Sequence, residues 1–209
     1  FTGDSDRLIV ASQDSNPGFN KGTVTFLETG GWNVLSEFPI DKRPVSMAVS
    51  DDDLILAIGS EHSQVRIWKI GQEAPDHIFR VDLPSMPFGH TNPVEDLVFL
   101  PGTHDVVFYN THSDEFMSWD ASNQAVKERL PTEDCRARVF AISPDARFLA
   151  TPACWVELGS ELKQGKVSGG GYTSVAFSAD NQFVVAGYNE TRPRTNDVVV
   201  TNLTDHSTI

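Results

Sequence analysis

Residues 45–70 read VSMAVS, DDD, LILAIGS, EHSQ and VRIWKI. Val45, Met47 and Val49 alternate with small or polar partners, the period of a β-strand. Asp51, Asp52 and Asp53 read as a turn, because short carboxylates hydrogen-bond to nearby backbone there. Residues 54–58 form a continuous apolar run of strand length. Residues 65–70 make a third strand that carries Trp68. The stretch predicts an up-and-down antiparallel meander.

The same pattern recurs. First strands begin near 45, 94, 138 and 173, each followed by a polar break (DDD, PGTHD, PDAR, ADNQ) and a second apolar strand. An earlier copy at 8–14 and 23–28 lacks its first strand. More polar fourth strands are predicted at 34–40, 77–83, 125–131 and 161–167. Charges such as Arg80, Asp82, Lys127, Glu128 and Lys163 fall there, as suits a strand at a sheet edge facing water. Four antiparallel strands repeated every few tens of residues are the pattern of propeller blades. The approximate blades are 1–40 (first strand missing), 41–84, 90–131, 136–168 (shortened) and 171–209. In the fourth, a third strand is squeezed into residues 155–158. Either that blade is degenerate or residues are absent between Cys154 and Val156, and the shortfall favours absence. A chain that opens on Phe1, at the second strand of a blade, fits a processed chain or part of a larger ring.

Composition narrows the function. At 209 residues with a net charge of −13, the chain as a whole repels nucleic-acid phosphates and anionic membranes. No apolar run reaches the roughly 18 residues of a membrane helix, and no signal peptide is visible. Cys135 and Cys154 form no CxxC pair and no disulfide framework. They read as two reduced thiols in a cytoplasmic or nuclear protein. His62 beside Glu61 and His104 beside Asp105 sit in predicted turns with no third ligand, so no metal site is expected. No nucleophile elbow or phosphate-binding glycine loop occurs. Gly169, Gly170 and Gly171 precede a strand and read as a linker.

Several stretches together carry a family likeness. ISPDARFLAT at 142–151, GSEHSQVRIW at 59–68, Gly-His at 89–90 and Trp-Asp at 119–120 resemble the turn, strand and bracketing dipeptides of WD-repeat β-propellers. The resemblance implies an all-β propeller of four-stranded antiparallel blades, part of a larger, seven-bladed ring. It implies a structural hydrogen-bond network in the third blade from His90, Thr111, Asp114 and Trp119, and a partial one in the second from Ser60 and Trp68. His62 stands where that network takes Asp. The resemblance further implies a non-catalytic scaffold for other proteins or peptides, with no cofactor, no direct nucleic-acid contact and a place in a multi-subunit complex.

One face of such a fold collects loops. Phe19, Lys21, Arg43, Met86, Phe88, Arg136, Arg192 and Arg194 fall in them. Arginine forks bind carboxylate or phosphate bidentately, and apolar loop residues anchor peptides, so this face is the candidate partner site. Two alternatives remain. The chain is a structural domain binding mainly its own neighbours in a large assembly, or it carries an enzyme or small-ligand site at the channel mouth.

Overall fold

The computed structural model describes residues 1–13, 21–61, 64–72, 77–80, 93–110, 115–121, 123, 125–131, 139–159, 164–167, 172–191 and 194–208. Among them every regular element is a strand, and the strands form five antiparallel sheets. The chain divides into two compact units, one of residues 1–112 with 117–128 and one of residues 113–116 with 129–209.

The first unit opens with β1 (Arg7–Gln13), β2 (Gly22–Glu28) and β3 (Val34–Ile40), paired in that order. The next sheet holds β4 (Pro44–Val49), β5 (Ile55–Ser60), β6 (Gln64–Lys69) and β7 (His77–Arg80), again in chain order. β8 (Leu97–Phe99), β9 (Val106–Asn110), β10 (Glu115–Asp120) and β11 (Ala125–Pro131) make the third meander.

β5 shows why its sequence is apolar without alternation. It lies between β4 and β6, and all six of its residues are buried. Ile55 and Ala57 point to one face, where they join Val65, Ile67, Leu97, Phe99, Val106, Phe108, Met117 and Trp119. Leu56 and Ile58 point to the other, against Ile9, Val24, Phe26, Ile40 and Trp68. A strand covered on both faces must be apolar at every position. Gly59 is required at its end, because a side chain there would overlap Ser46 and Val94. Ser46 Oγ uses the space to donate to the Val94 carbonyl at 2.7 Å, tying the second sheet to the third.

The second unit holds two more sheets. β12 (Ala141–Ile142), β13 (Phe148–Ala150), β14 (Cys154–Glu157) and β15 (Gln164–Lys166) form a short four-stranded one. β16 (Tyr172–Phe177), β17 (Phe183–Thr191) and β18 (Arg194–Asn202) form the last, with a single further bridge from Thr201 to Thr208. Phe148, Ala150, Trp155 and Val167 pack with Val184, Ala186 and Leu203.

In the fourth sheet Ala150 pairs with Trp155, and Thr151 Oγ1 accepts the Ala153 and Cys154 amides at 3.1 Å each, so a threonine turn joins β13 to β14. One sequence expectation changes here. Cys154, expected as a free thiol, is disulfide-bonded and 4% exposed. The sequence holds one other cysteine, Cys135, which lies outside the described residues. Residue counting failed because a bridge requires only that two Cα atoms lie within about 7 Å, which spacing along the chain does not reveal.

Candidate protein-interaction faces

Each meander exposes its connections at two ends of the sheet. In the first unit, one end of the sheets holds the β3–β4 link with Arg43, one of the residues expected to bind partners. Phe19, Met86, Phe88, Arg136 and Arg192 lie outside the described residues. Lys21 is exposed just before β2, and Arg194 begins β18. Arg43 is already engaged: its guanidinium meets Glu61 Oε1 at 3.1 Å. Beside it, Arg66 on β6 is 2% exposed and bonded to Asp41, with a longer contact of 3.4 Å to Ser60 Oγ. Burial pulls the Arg66 pKa below its ordinary value, and the Asp41 carboxylate opposes that. A buried arginine held by an exposed aspartate fixes the β3–β4 link to the second sheet.

The structural network implied for the second blade takes a different form. Ser60 is fully buried and faces Arg66, while the Trp68 indole N–H has no hydrogen-bond partner among the described residues. Trp119 is buried at 3%. His90, Thr111 and Asp114 lie outside the described residues.

An ordered motif recurs in the turns ahead of strands in four sheets, and it includes the polar breaks DDD, PDAR and ADNQ. Residues 2–7, 50–55, 143–148 and 178–183 read TGDSDR, SDDDLI, SPDARF and SADNQF. In each, the first hydroxyl donates to the aspartate two residues on, at 2.6 Å from Thr2, Ser50 and Ser143 and 2.5 Å from Ser178. That aspartate accepts the amide two residues further, and the hydroxyl oxygen accepts the amide five residues on. The fourth residue is left-handed in every copy: Ser5, Asp53, Ala146 and Asn181 have φ of 62°, 59°, 57° and 60°. The third sheet uses different chemistry for the same bend. Pro101-Gly102 closes a turn with Thr103 N donating to Leu100 O at 3.0 Å, and Gly102 takes the positive φ of 72° that such a turn needs at its third residue. The signal is legible as Ser/Thr-x-Asp ahead of the second strand in the other four sheets.

In the first unit these turns grip one another. Asp53 accepts the Gly3 amide through both oxygens at 2.7 and 2.8 Å. Asp51 accepts the Gly102 amide at 2.9 Å, and Asp52 Oδ2 meets His104 Nε2 at 2.8 Å. Asp51, Asp52, Gly102, Thr103 and His104 line an open pocket of about 300 Å³. Thr29 N and Oγ1 donate to the Asp6 and Ser5 carbonyls, which brings the β2–β3 turn into the same chain of bonds. In the second unit, Asn181 Oδ1 accepts the Asp145 amide at 3.2 Å.

Hydrogen bonds to the ionised form lower an acid's pKa. The Ser50 hydroxyl, then His104, hold Asp52 near 2 against an ordinary 3.8. Thr2, Ser178 and Ser207 hydroxyls likewise lower Asp4, Asp180 and Asp205. A folded pKa below the unfolded one gives stability that is complete above about pH 4 and lost as pH falls toward 2. Urea midpoints should therefore drop across that window, and Asp52→Asn should drop less steeply than the parent. Parallel acid limbs for the two proteins would show that the Asp52 latch is not a source of acid sensitivity.

Ser50, Asp52 and His104 are the residue types of a hydrolase triad, but their order forbids that chemistry. A triad places His between Ser and Asp so that the imidazole takes the hydroxyl proton. Here Asp52 stands between the other two, and Ser50 Oγ also accepts the Ile55 amide at 2.9 Å. The hydroxyl has no base and is spent on the turn. Among the described residues, no group of three His, Cys, Asp or Glu side chains is placed to hold a metal ion.

These all-antiparallel meanders define a β-propeller fold. Among solved structures, the Myceliophteria thermophila Cps50 (Swd1) β-propeller domain superposes with a TM-score of 0.73 at 14% identity, covering 99% of this chain and 65% of that chain. Kuenenia stuttgartiensis hydrazine synthase superposes with a TM-score of 0.65, also at 14% identity, covering 93% of this chain and 62% of that chain. The chain thus spans just under two thirds of either structure, and at such identity the likeness is one of fold. No protein-family model and no curated protein matches the chain.

Proposed function

We propose that this chain is a non-catalytic propeller segment that holds partner proteins or peptides on its loop face and works within a multi-subunit complex. The observation that carries the reading is the fate of the polar side chains: Ser50, Asp52 and His104, the set that most resembles a catalytic group, close turns and join sheets. A scaffold needs rigid blades and variable loops, and this is how its polar chemistry is spent. The propeller fold is compatible with it. The acidic net charge speaks against direct nucleic-acid binding.

Crosslinking mass spectrometry on the protein captured from its native source tests this. The reading expects a recurring protein partner crosslinked to the loops around residues 14–22, 41–43 and 84–93, and to the β17–β18 connection between Thr191 and Arg194, where the insert expected as a loop at 189–196 is instead paired as strand. Paired Arg43→Glu and Arg136→Glu substitutions should weaken capture while leaving the melting temperature near that of the parent. Capture unaffected by the pair would remove the loop face, and turnover on a panel of hydrolase substrates would overturn the non-catalytic reading.

A further inference from the structure

The chain's four tryptophans differ sharply in exposure: Trp68 and Trp119 in the first unit and Trp155 in the second are 2–3% exposed, whereas Trp32 in the first unit is 60% exposed. Trp32 sits in the β2–β3 turn at φ 57°, a left-handed backbone that bulky side chains rarely adopt. Val34 and Leu35 follow it at 59% and 53% exposed. Leu54, in the β4–β5 turn, is 58% exposed. The bonds from Thr29 to Ser5 and Asp6, and from the Gly3 amide to Asp53, place the Trp32 and Leu54 turns on one continuous surface. It is the end of the first unit opposite the Arg43 loop.

The charge on that surface is one-sided. Asp4, Asp6, Asp51 and Asp52 are exposed along it, with Arg7 and Lys69 the cations at the strand ends. Asp51 and Asp52 also border the 300 Å³ pocket beside His104. Exposed tryptophan is the side chain most enriched among residues that dominate interfaces, and opposed charge steers a partner to them.

We propose that this turn face docks a basic protein segment, with a large apolar side chain of the partner seated against Trp32 or Leu54 and its Lys or Arg residues against the aspartates. The proposal rests on the scaffold reading and adds to it a second surface and the chemistry of its partner.

A short peptide alternating arginine and leucine is the probe, with the same peptide carrying glutamate for arginine as its counterpart. Trp32 is the solvent-exposed fluorophore, so docking should shift emission to the blue, and raising the salt should weaken it. By calorimetry, Trp32→Ala and Asp6→Lys should each weaken binding by at least about tenfold. Val126→Ser, which removes an exposed apolar residue on β11, should leave binding unchanged. Equal binding of the glutamate peptide, unchanged affinity in Trp32→Ala, or neither a shift nor heat at millimolar peptide would each overturn the proposal. If the peptide fails while native crosslinks map to the loops, the turn face falls and the scaffold reading stands. If no partner crosslinks at all, the scaffold reading falls with it.

Discussion

Trp119→Ala is expected to lower stability by about 3–5 kcal/mol, the range for deleting a buried large aromatic side chain. Trp119 is 3% exposed on β10 and packs with residues from β5, β6, β8 and β9. Its removal leaves a hole that several strands border and that none can fill alone. Equilibrium urea unfolding followed by circular dichroism measures the loss. A loss below about 1 kcal/mol, the size of a surface substitution or a single methylene, would mean that the Trp119 cluster does not hold the second and third sheets together.

Reduction of the Cys154 disulfide is expected to cost about 2–4 kcal/mol, because the bridge limits the freedom of the unfolded chain. Melting with and without a reductant, alongside Cys154→Ser, measures it. The variant should melt with the reduced parent and stop responding to reductant. Identical melting of oxidised and reduced parent would show that the bridge does not support the fold.

The sheets were legible because their signals are local. Each second strand is a short apolar run behind a polar turn, and the predicted 34–40 and 125–131 coincide with β3 and β11. Some first strands are shorter than their apolar runs: one was expected to begin near 94 and β8 is Leu97–Phe99, and in the fourth sheet β12 is only Ala141–Ile142. What escaped was set by meetings between distant segments. Nothing near Arg43 in sequence announces Glu61, and nothing near Asp52 announces His104. The partner of Cys154 and the engagement of Arg66 with Asp41 have the same origin. The 60% exposure of Trp32 is of the same kind, because exposure depends on neighbours that only folding supplies.

The Ser/Thr-x-Asp turn has one more consequence. It fixes a reversal, the start of a strand and the pairing register through bonds made wholly within six residues. The strands that follow therefore need only be apolar and of the right length, since they do not specify their own alignment. Such a blade tolerates wholesale replacement of its strand residues while keeping its shape.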